Sequence, residues 1–326
     1  MTVLPSPPVL TVDAGPFLGV AAPRHVRPRL DIAIADRAYV PQVDDLQRDW
    51  VASVAAPAFR ILHARRGDAA CRSFAAVGTG SGVDALAGIE FLGATRVGIT
   101  DLFEEVVATA AGNVRRNVLP GHPLELFAGA GDLLTPLKPY GVRFDVIYEN
   151  LPNLPLADAG RLEIDRTSAA FMAPREEWVP TFVKDWLLVL HYLALVQAKD
   201  ALEPGGTVIS TLGGRVSLKV LTDMADSAGL HPSFLTYWWK EQADAADVIG
   251  SYAQWQRYGL GPFHFYPADL LQEVFSSLDP EQAGRDAFAI ERDLASKRLD
   301  AITAWNAFQR GVRIGHTVAV LQSDLR

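Results

Sequence analysis

The chain has 326 residues, 49% hydrophobic and 21% charged, with 30 basic against 38 acidic side chains and a formal charge of −8. That length accommodates one large α/β domain with additions or two modest ones, and the acidic balance speaks against a protein built to grip phosphate backbones. The single cysteine, Cys71, excludes an internal disulfide and fits a reducing cytoplasm.

Residues 1–40 carry Pro5, Pro7, Pro8, Pro16, Pro23 and Pro28 and read as an arm lying over the surface. The N-terminus lacks the basic and apolar regions of a signal peptide, and no run reaches the roughly 18 apolar residues of a membrane span. A helix is expected over 43–66, with Leu46, Trp50, Val51, Val54, Phe59 and Leu62 apolar and Pro57 as a break or kink. From residue 73 strands and helices alternate. SFAAVG is a strand, followed by a helix to about Leu92. RVGIT is the second strand, followed by a helix over 104–117, and LELFAG and FDVIYE are the third and fourth. A long helix is predicted over 180–202, with Pro180 in its first turn and Pro204-Gly205-Gly206 as its stop. TVISTLG, a helix over 216–228 and PSFLTYWWK follow. A mostly helical stretch over 241–313 then precedes a last strand, HTVAVLQS. This alternation implies a parallel sheet with helices on both faces, finished by one late strand.

The stretch VGTGSG places Gly78, Thr79, Gly80, Ser81 and Gly82 at a strand-to-helix junction. Glycines there let the backbone turn tightly and approach a ligand, although a plain tight turn uses the same residues. Asp101 ends the second strand, beside Leu102. A carboxylate there suits a ribose diol; with Glu104 it also has the spacing of a capping box. After the third strand, Asp132 and Leu133 are placed to meet an adenine amino group and ring, or serve only a turn. After the fourth, Asn150 and Asn153 frame a Leu-Pro turn, with Tyr148 just before it. These asparagines either face the crevice at the carboxyl ends of the strands or satisfy their own loop.

Together these pieces resemble the S-adenosylmethionine-dependent class I methyltransferases over roughly residues 72–240 and the last strand. The resemblance implies a doubly wound, Rossmann-like, seven-stranded α/β sheet. It divides the chain into an N-terminal arm and helical cap (1–70), a cofactor domain (71–240 plus 314–326) and a helical insertion or lid (241–313). Gly78 to Gly82 match the family's glycine motif, Asp101 its ribose acid and Asp132 its adenine-side acid, with Leu133 packing on the ring and Leu102 a further cofactor-binding candidate beside Asp101. ENLPN is similar to the motif of enzymes that methylate nitrogen, but Leu151 stands for its first proline and Asn153 for its aromatic. A nicotinamide fold competes for the glycines but does not account for this loop or the last strand.

The family often has an acid two residues before the first glycine; here it is Ala76. Without that acid the cofactor's amine is easier to deprotonate, and a related branch, the azetidine-2-carboxylate synthases, closes that amine onto its own γ-carbon. The resemblance therefore implies methyl transfer to an amine of a small molecule in secondary metabolism, with ring closure of the cofactor and a non-catalytic regulator as alternatives. Macromolecular methylation is a further class, within which the acidic balance speaks against nucleic acid.

Under the first reading Asn150 holds the acceptor amine. Under the second it holds the cofactor's own. His264 and His191 are the bases to consider, His191 reading equally as a core residue. Tyr148, Phe171, Trp178, Tyr192, Tyr252, Trp255, Tyr258, Phe263, Phe265 and Tyr266 are aromatic candidates for facing a sulfonium. Arg215, after the fifth strand, either meets a substrate carboxylate or sits on the surface. No metal is expected, since no Cys/His grouping has ligand spacing. The oligomeric state, including a homodimer, stays open.

Overall fold

The computed structural model describes residues 7–67, 71–155 and 171–325. Pro5 and the side chain of Phe171 lie outside the described residues. The N-terminal segment is more than an arm. Strands β1 (Val9–Asp13) and β2 (Arg29–Ala33) pair antiparallel around the short helix α1 (Ala14–Leu18). Val12, Phe17, Leu18, Leu30 and Ile32 from this unit are buried in the main core. Alternation along two short strands was masked by the prolines.

Residues 43–49 are not helical. The helix begins at Trp50, where the Asp49 carboxylate accepts the Val51 and Ala52 amides at 2.7 and 2.8 Å. It opens with a π-type turn, Val51–Ala55, and continues as α2 (Ala56–Arg66). Pro57 sits where the wide turn gives way to α2. Its missing N–H forfeits a normal helical bond, so the junction falls where that loss is tolerated.

The centre follows in order: β3 (Ser73–Val77), α3 (Val83–Leu92), β4 (Arg96–Asp101), α4 (Glu104–Asn117), β5 (Glu125–Ala130) and β6 (Phe144–Glu149). The pair β7 (Leu154–Pro155) and β8 (Phe171–Met172) stands apart from the main sheet. The predicted helix over 180–202 is two helices, α5 (Thr181–Asp185) and α6 (Val189–Ala201). Leu187 breaks it with a φ of 58°, and its carbonyl accepts from Asn153 Nδ2 at 3.0 Å. The apolar run is uniform across this break, so periodicity carries no sign of it.

Strand β9 (Leu202–Gly214), helix α7 (Leu218–Ser227) and strand β10 (Leu230–Glu241) complete the alternation. The excursion holds α8 (Ala245–Arg257), β11 (Tyr266–Pro267), α9 (Ala268–Phe275), α10 (Pro280–Arg285), α11 (Ala287–Leu294) and α12 (Ala301–Gln309), and β12 (Ile314–Leu325) returns to the sheet.

The strand order is β10-β12-β9-β6-β3-β4-β5, with β11 pairing on β12. β12 runs antiparallel between β9 and β10, while β9, β6, β3, β4 and β5 are parallel. The sheet is covered on both faces, so its central strands β3 and β6 are almost wholly buried. In β3, Phe74 and Ala76 join the core shared with α2, α3 and α4, while Ala75 and Val77 join the core shared with α6 and α7. This topology brings the carboxyl ends of β3, β4, β6, β9 and β10 and the amino end of β12 to one edge. That is where ligands bind in open α/β sheets.

Candidate functional site

The glycine turn follows β3 at this edge. Gly78, Gly80 and Gly82 have φ of 70°, 53° and 82°, a region that favours glycine. Space is a second constraint: a Cβ on Gly82 would lie 3.1 Å from the Ala110 carbonyl, and one on Gly78 would lie 2.9 Å from Leu151 Cδ2. Gly82 therefore permits α3 to pack on α4, and Gly78 receives the Leu-Pro loop.

Asp101 bridges two strand ends. Its Oδ2 accepts the Gly80 amide at 3.0 Å and its Oδ1 accepts the Leu102 amide at 2.7 Å. Burial raises its pKa, with the Gly80 and Leu102 amides acting in the opposite direction. Leu102 beside it is 55% exposed, an apolar surface next to the carboxylate. Asp132 has both oxygens engaged, by Arg175 Nη1 at 2.5 Å and Gln197 Nε2 at 2.8 Å. Burial opposes ionisation there, but these two donors bring its carboxyl below the usual range. Leu133, with φ of 48°, is nearly buried behind it.

Sequence reasoning passed over Asp84. It lies in the first turn of α3, 6% exposed, and its Oδ1 accepts the Thr79 hydroxyl at 2.6 Å and the Ala85 amide at 2.7 Å. Burial pushes its pKa from 3.8 to about 7. The folded value exceeds the unfolded one, so the native state holds more protons between about pH 4 and 7. Stability is therefore expected to fall as pH rises through that window and to stay reduced above it. Asp84→Asn keeps an oxygen for both donors. It is expected to raise unfolding free energy at pH 8 by about 1–3 kcal/mol and to flatten the pH dependence, checked by urea unfolding from pH 4 to 8.

At the end of β6, Glu149 is fully buried and its carboxylate accepts from His191 Nδ1 at 2.8 and 3.0 Å. The same group accepts the Leu151 amide at 3.3 Å. Among the described residues, His191 Nε2 is buried without a hydrogen-bond partner. Asn150, the next residue after Glu149, is half-buried on the edge. Asn153 serves the backbone, through Leu187. Tyr148 faces away from Glu149, edge-on to Phe59 at 5.0 Å and 1% exposed, so its ring is core packing.

His264 is not poised as a base. It is 4% exposed, its Nε2 accepts from Arg298 at 3.1 Å, and burial followed by the Arg298 charge pushes its pKa down to about 3. Of the other aromatic candidates, Trp178 and Tyr258 are 80% and 70% exposed, Trp255 is half-buried, and Tyr192, Tyr252, Phe263, Phe265 and Tyr266 are buried. Tyr252 meets Phe263 and Phe265 edge-on inside the excursion.

The segment 39–53 closes over the edge. Tyr39 N is 3.5 Å from where a Gly80 Cβ would stand. Lys240, at the end of β10, is 5% exposed and donates to the Gln47 carbonyl at 2.5 Å, the Asp49 carbonyl at 3.2 Å and Ser53 Oγ at 2.7 Å. Burial brings its pKa down to about 8. Trp50 lies under the ammonium at 5.2 Å and stacks on His316 at 6.1 Å. Among the described residues no three His, Cys, Asp or Glu side chains form a metal-binding group, and no helix is long and apolar enough to cross a membrane.

No protein-family model matches the chain, and no match to a curated protein is found. Several solved structures are loosely similar. A methyltransferase from Pyrococcus furiosus matches at 18% identity and a TM-score of 0.39, over 64% of this chain and 82% of that one. The complex of SMU.776 with SAH matches at 10% and 0.43, over 93% and 56%. YcgJ from Bacillus subtilis matches at 12% and 0.40, over 82% and 98%. The functional reading therefore rests on the geometry of this edge.

Proposed function

We propose that the chain is a transferase that uses S-adenosylmethionine to methylate an amine of a small molecule. The carrying observation is the Asp84 carboxylate at the amino end of α3, bonded to Thr79 and Ala85. In a nicotinamide fold that helix end faces a pyrophosphate. A buried carboxyl there repels a pyrophosphate and suits a ligand carrying ammonium and sulfonium charges. Asp84 also supplies an acid beside the glycine turn, through its bond to Thr79, where Ala76 does not.

Bound against the glycine turn, the sulfonium supplies an electrophilic methyl group. The Asp101 oxygens each retain a lone pair for a ribose hydroxyl after accepting one amide apiece. Leu102 offers an apolar face to the base. Asn150 orients the amine, and oriented reactants gain about 7–11 kcal/mol over dilute ones. The Glu149–His191 pair stiffens the strand end that carries Asn150. Coverage of the edge by residues 39–53 supports a small acceptor over a macromolecule.

Incubation of the protein with S-adenosylmethionine alone, and then with a panel of small amines, tests this reading by mass spectrometry. The expected result is S-adenosylhomocysteine formed only when an amine is added. Methylthioadenosine with a cyclic amino acid, from cofactor alone and above spontaneous breakdown, would replace methyl transfer with ring closure. Absence of nucleoside binding by calorimetry would overturn both.

A further inference from the structure

Arg215 follows β9 at the carboxyl edge and is not a surface arginine: it is 7% exposed. Its Nε and Nη2 donate to Gln242 Oε1 at 3.1 and 2.6 Å, and Nη2 donates to His316 Nε2 at 2.9 Å. His316 can accept because its Nδ1–H donates to the Thr317 carbonyl at 2.8 Å. The Tyr252 ring stands 5.3 Å from the guanidinium carbon. All of these partners are neutral. Several arginines elsewhere that are more exposed have acids: Arg66 with Asp324, Arg175 with Asp132 and Glu177, Arg313 with Glu241 and Asp269. Among the described residues, no carboxylate pairs with Arg215.

A buried cation without a counter-ion is costly, so a fold that keeps one has a reason outside its own packing. The surroundings sharpen the point. Lys240 lies near the end of β10, two strands away across β12 on the same edge, and burial, followed by the Arg215 charge and a smaller contribution from Lys240, disfavours a proton on His316. Gly213 lets the guanidinium fold back over the strand end, since a Cβ there would stand 2.1 Å from Nη1. This end of the row is two strands from the glycine turn in the order β9-β6-β3, on the side of Asn150 away from Asp101.

We propose that Arg215 receives the carboxylate of the acceptor, so that the molecule to be alkylated is an amino acid or a close relative carrying amine and carboxylate together. The carboxylate takes the place of Gln242 and His316 in a forked, charge-assisted pair. Gln242 and His316 hold the fork in plane until then. The proposal rests on the transferase reading of this edge and narrows its substrate class.

Calorimetry on the full chain saturated with S-adenosylhomocysteine tests it, with glycine, alanine, phenylalanine and 4-aminobenzoate each titrated against its carboxamide. At least one acid is expected to bind tenfold or more tightly than its amide. Arg215→Gln is expected to erase that preference. Gln242→Glu supplies an internal counter-ion: it too is expected to erase the preference, while raising the melting temperature, which separates blockage from misfolding. Both variants are expected to bind S-adenosylhomocysteine within about twofold of the parent. Equal binding of acids and amides by the parent, or no binding of either, overturns the proposal. A preference that survives Arg215→Gln also overturns it. A tenfold loss of S-adenosylhomocysteine affinity in Arg215→Gln assigns the guanidinium to the nucleoside's own carboxylate and overturns it as well. Failure of the parent to bind S-adenosylhomocysteine brings down the transferase reading instead.

Discussion

Glu149→Ala is expected to lower the unfolding free energy by about 2–4 kcal/mol, because it leaves two buried donors, His191 Nδ1–H and the Leu151 amide, without their acceptor. Glu149 and His191 have no exposed side-chain surface, so solvent does not soften the loss. The substitution strands His191 Nδ1–H and removes an acceptor from the Leu151 amide. An unmet buried donor alone is worth about 1–3 kcal/mol. Replacing both partners should cost less than twice the single change. In the double variant Glu149→Leu/His191→Leu only the Leu151 amide is left without its acceptor, and against the singles Glu149→Leu and His191→Leu a favourable coupling of about 1–3 kcal/mol is expected from the cycle. Urea unfolding of the parent, both singles and the double measures it. A Glu149→Ala loss below about 1 kcal/mol, or additive singles, would show that the pair does not hold the strand end together.

What was legible in the sequence was local. The strand, the glycine turn and Asp101 declare themselves within one βαβ unit, because strand alternation, positive-φ glycines and a carboxylate at the next strand end are short-range signatures. The alternation and the late strand announced a mostly parallel sheet, but the order of its strands is set by long-range pairing that they do not encode. Glu149–His191, Lys240–Asp49 and Arg215–His316 bring together residues 42, 191 and 101 positions apart. Each partner alone looks ordinary: a glutamate ending a strand, a histidine on an apolar helix, an arginine in a loop. The packing of α6 on β6 brings Glu149 to His191, while the crossing of β12 between β9 and β10 and the return of residues 39–53 over the edge give Arg215 and Lys240 their surroundings. Asp84 is the intermediate case. Its position one turn into α3 was readable, but its burial depends on α3 packing against the sheet and α4. The broken helix at Leu187 was illegible for another reason. Its apolar residues are placed for either a straight or a broken helix, and Asn153, which caps the break, lies 34 residues earlier.

Asp101→Ala is expected to weaken S-adenosylhomocysteine binding by about 30-fold to several hundred-fold. Two hydrogen bonds from a ribose diol to a carboxylate contribute about 1.5–3 kcal/mol each, less what water returns to the freed hydroxyls. The change also releases the Gly80 and Leu102 amides, so a fall in affinity alone does not identify the ribose. The 2′-deoxy analogue separates the two effects. It should bind the parent more weakly than S-adenosylhomocysteine does, yet Asp101→Ala should bind both alike, because the missing hydroxyl has no carboxylate left to meet. The acid side of the binding profile adds a second readout. Burial raises the Asp101 pKa, so affinity should begin to decline on acidification above the usual aspartate range, as the acceptor gains a proton. In Asp101→Ala that limb should vanish. If the deoxy analogue loses the same affinity in parent and variant, the hydroxyl is held by another group, and the nucleoside lies in a different orientation on this edge.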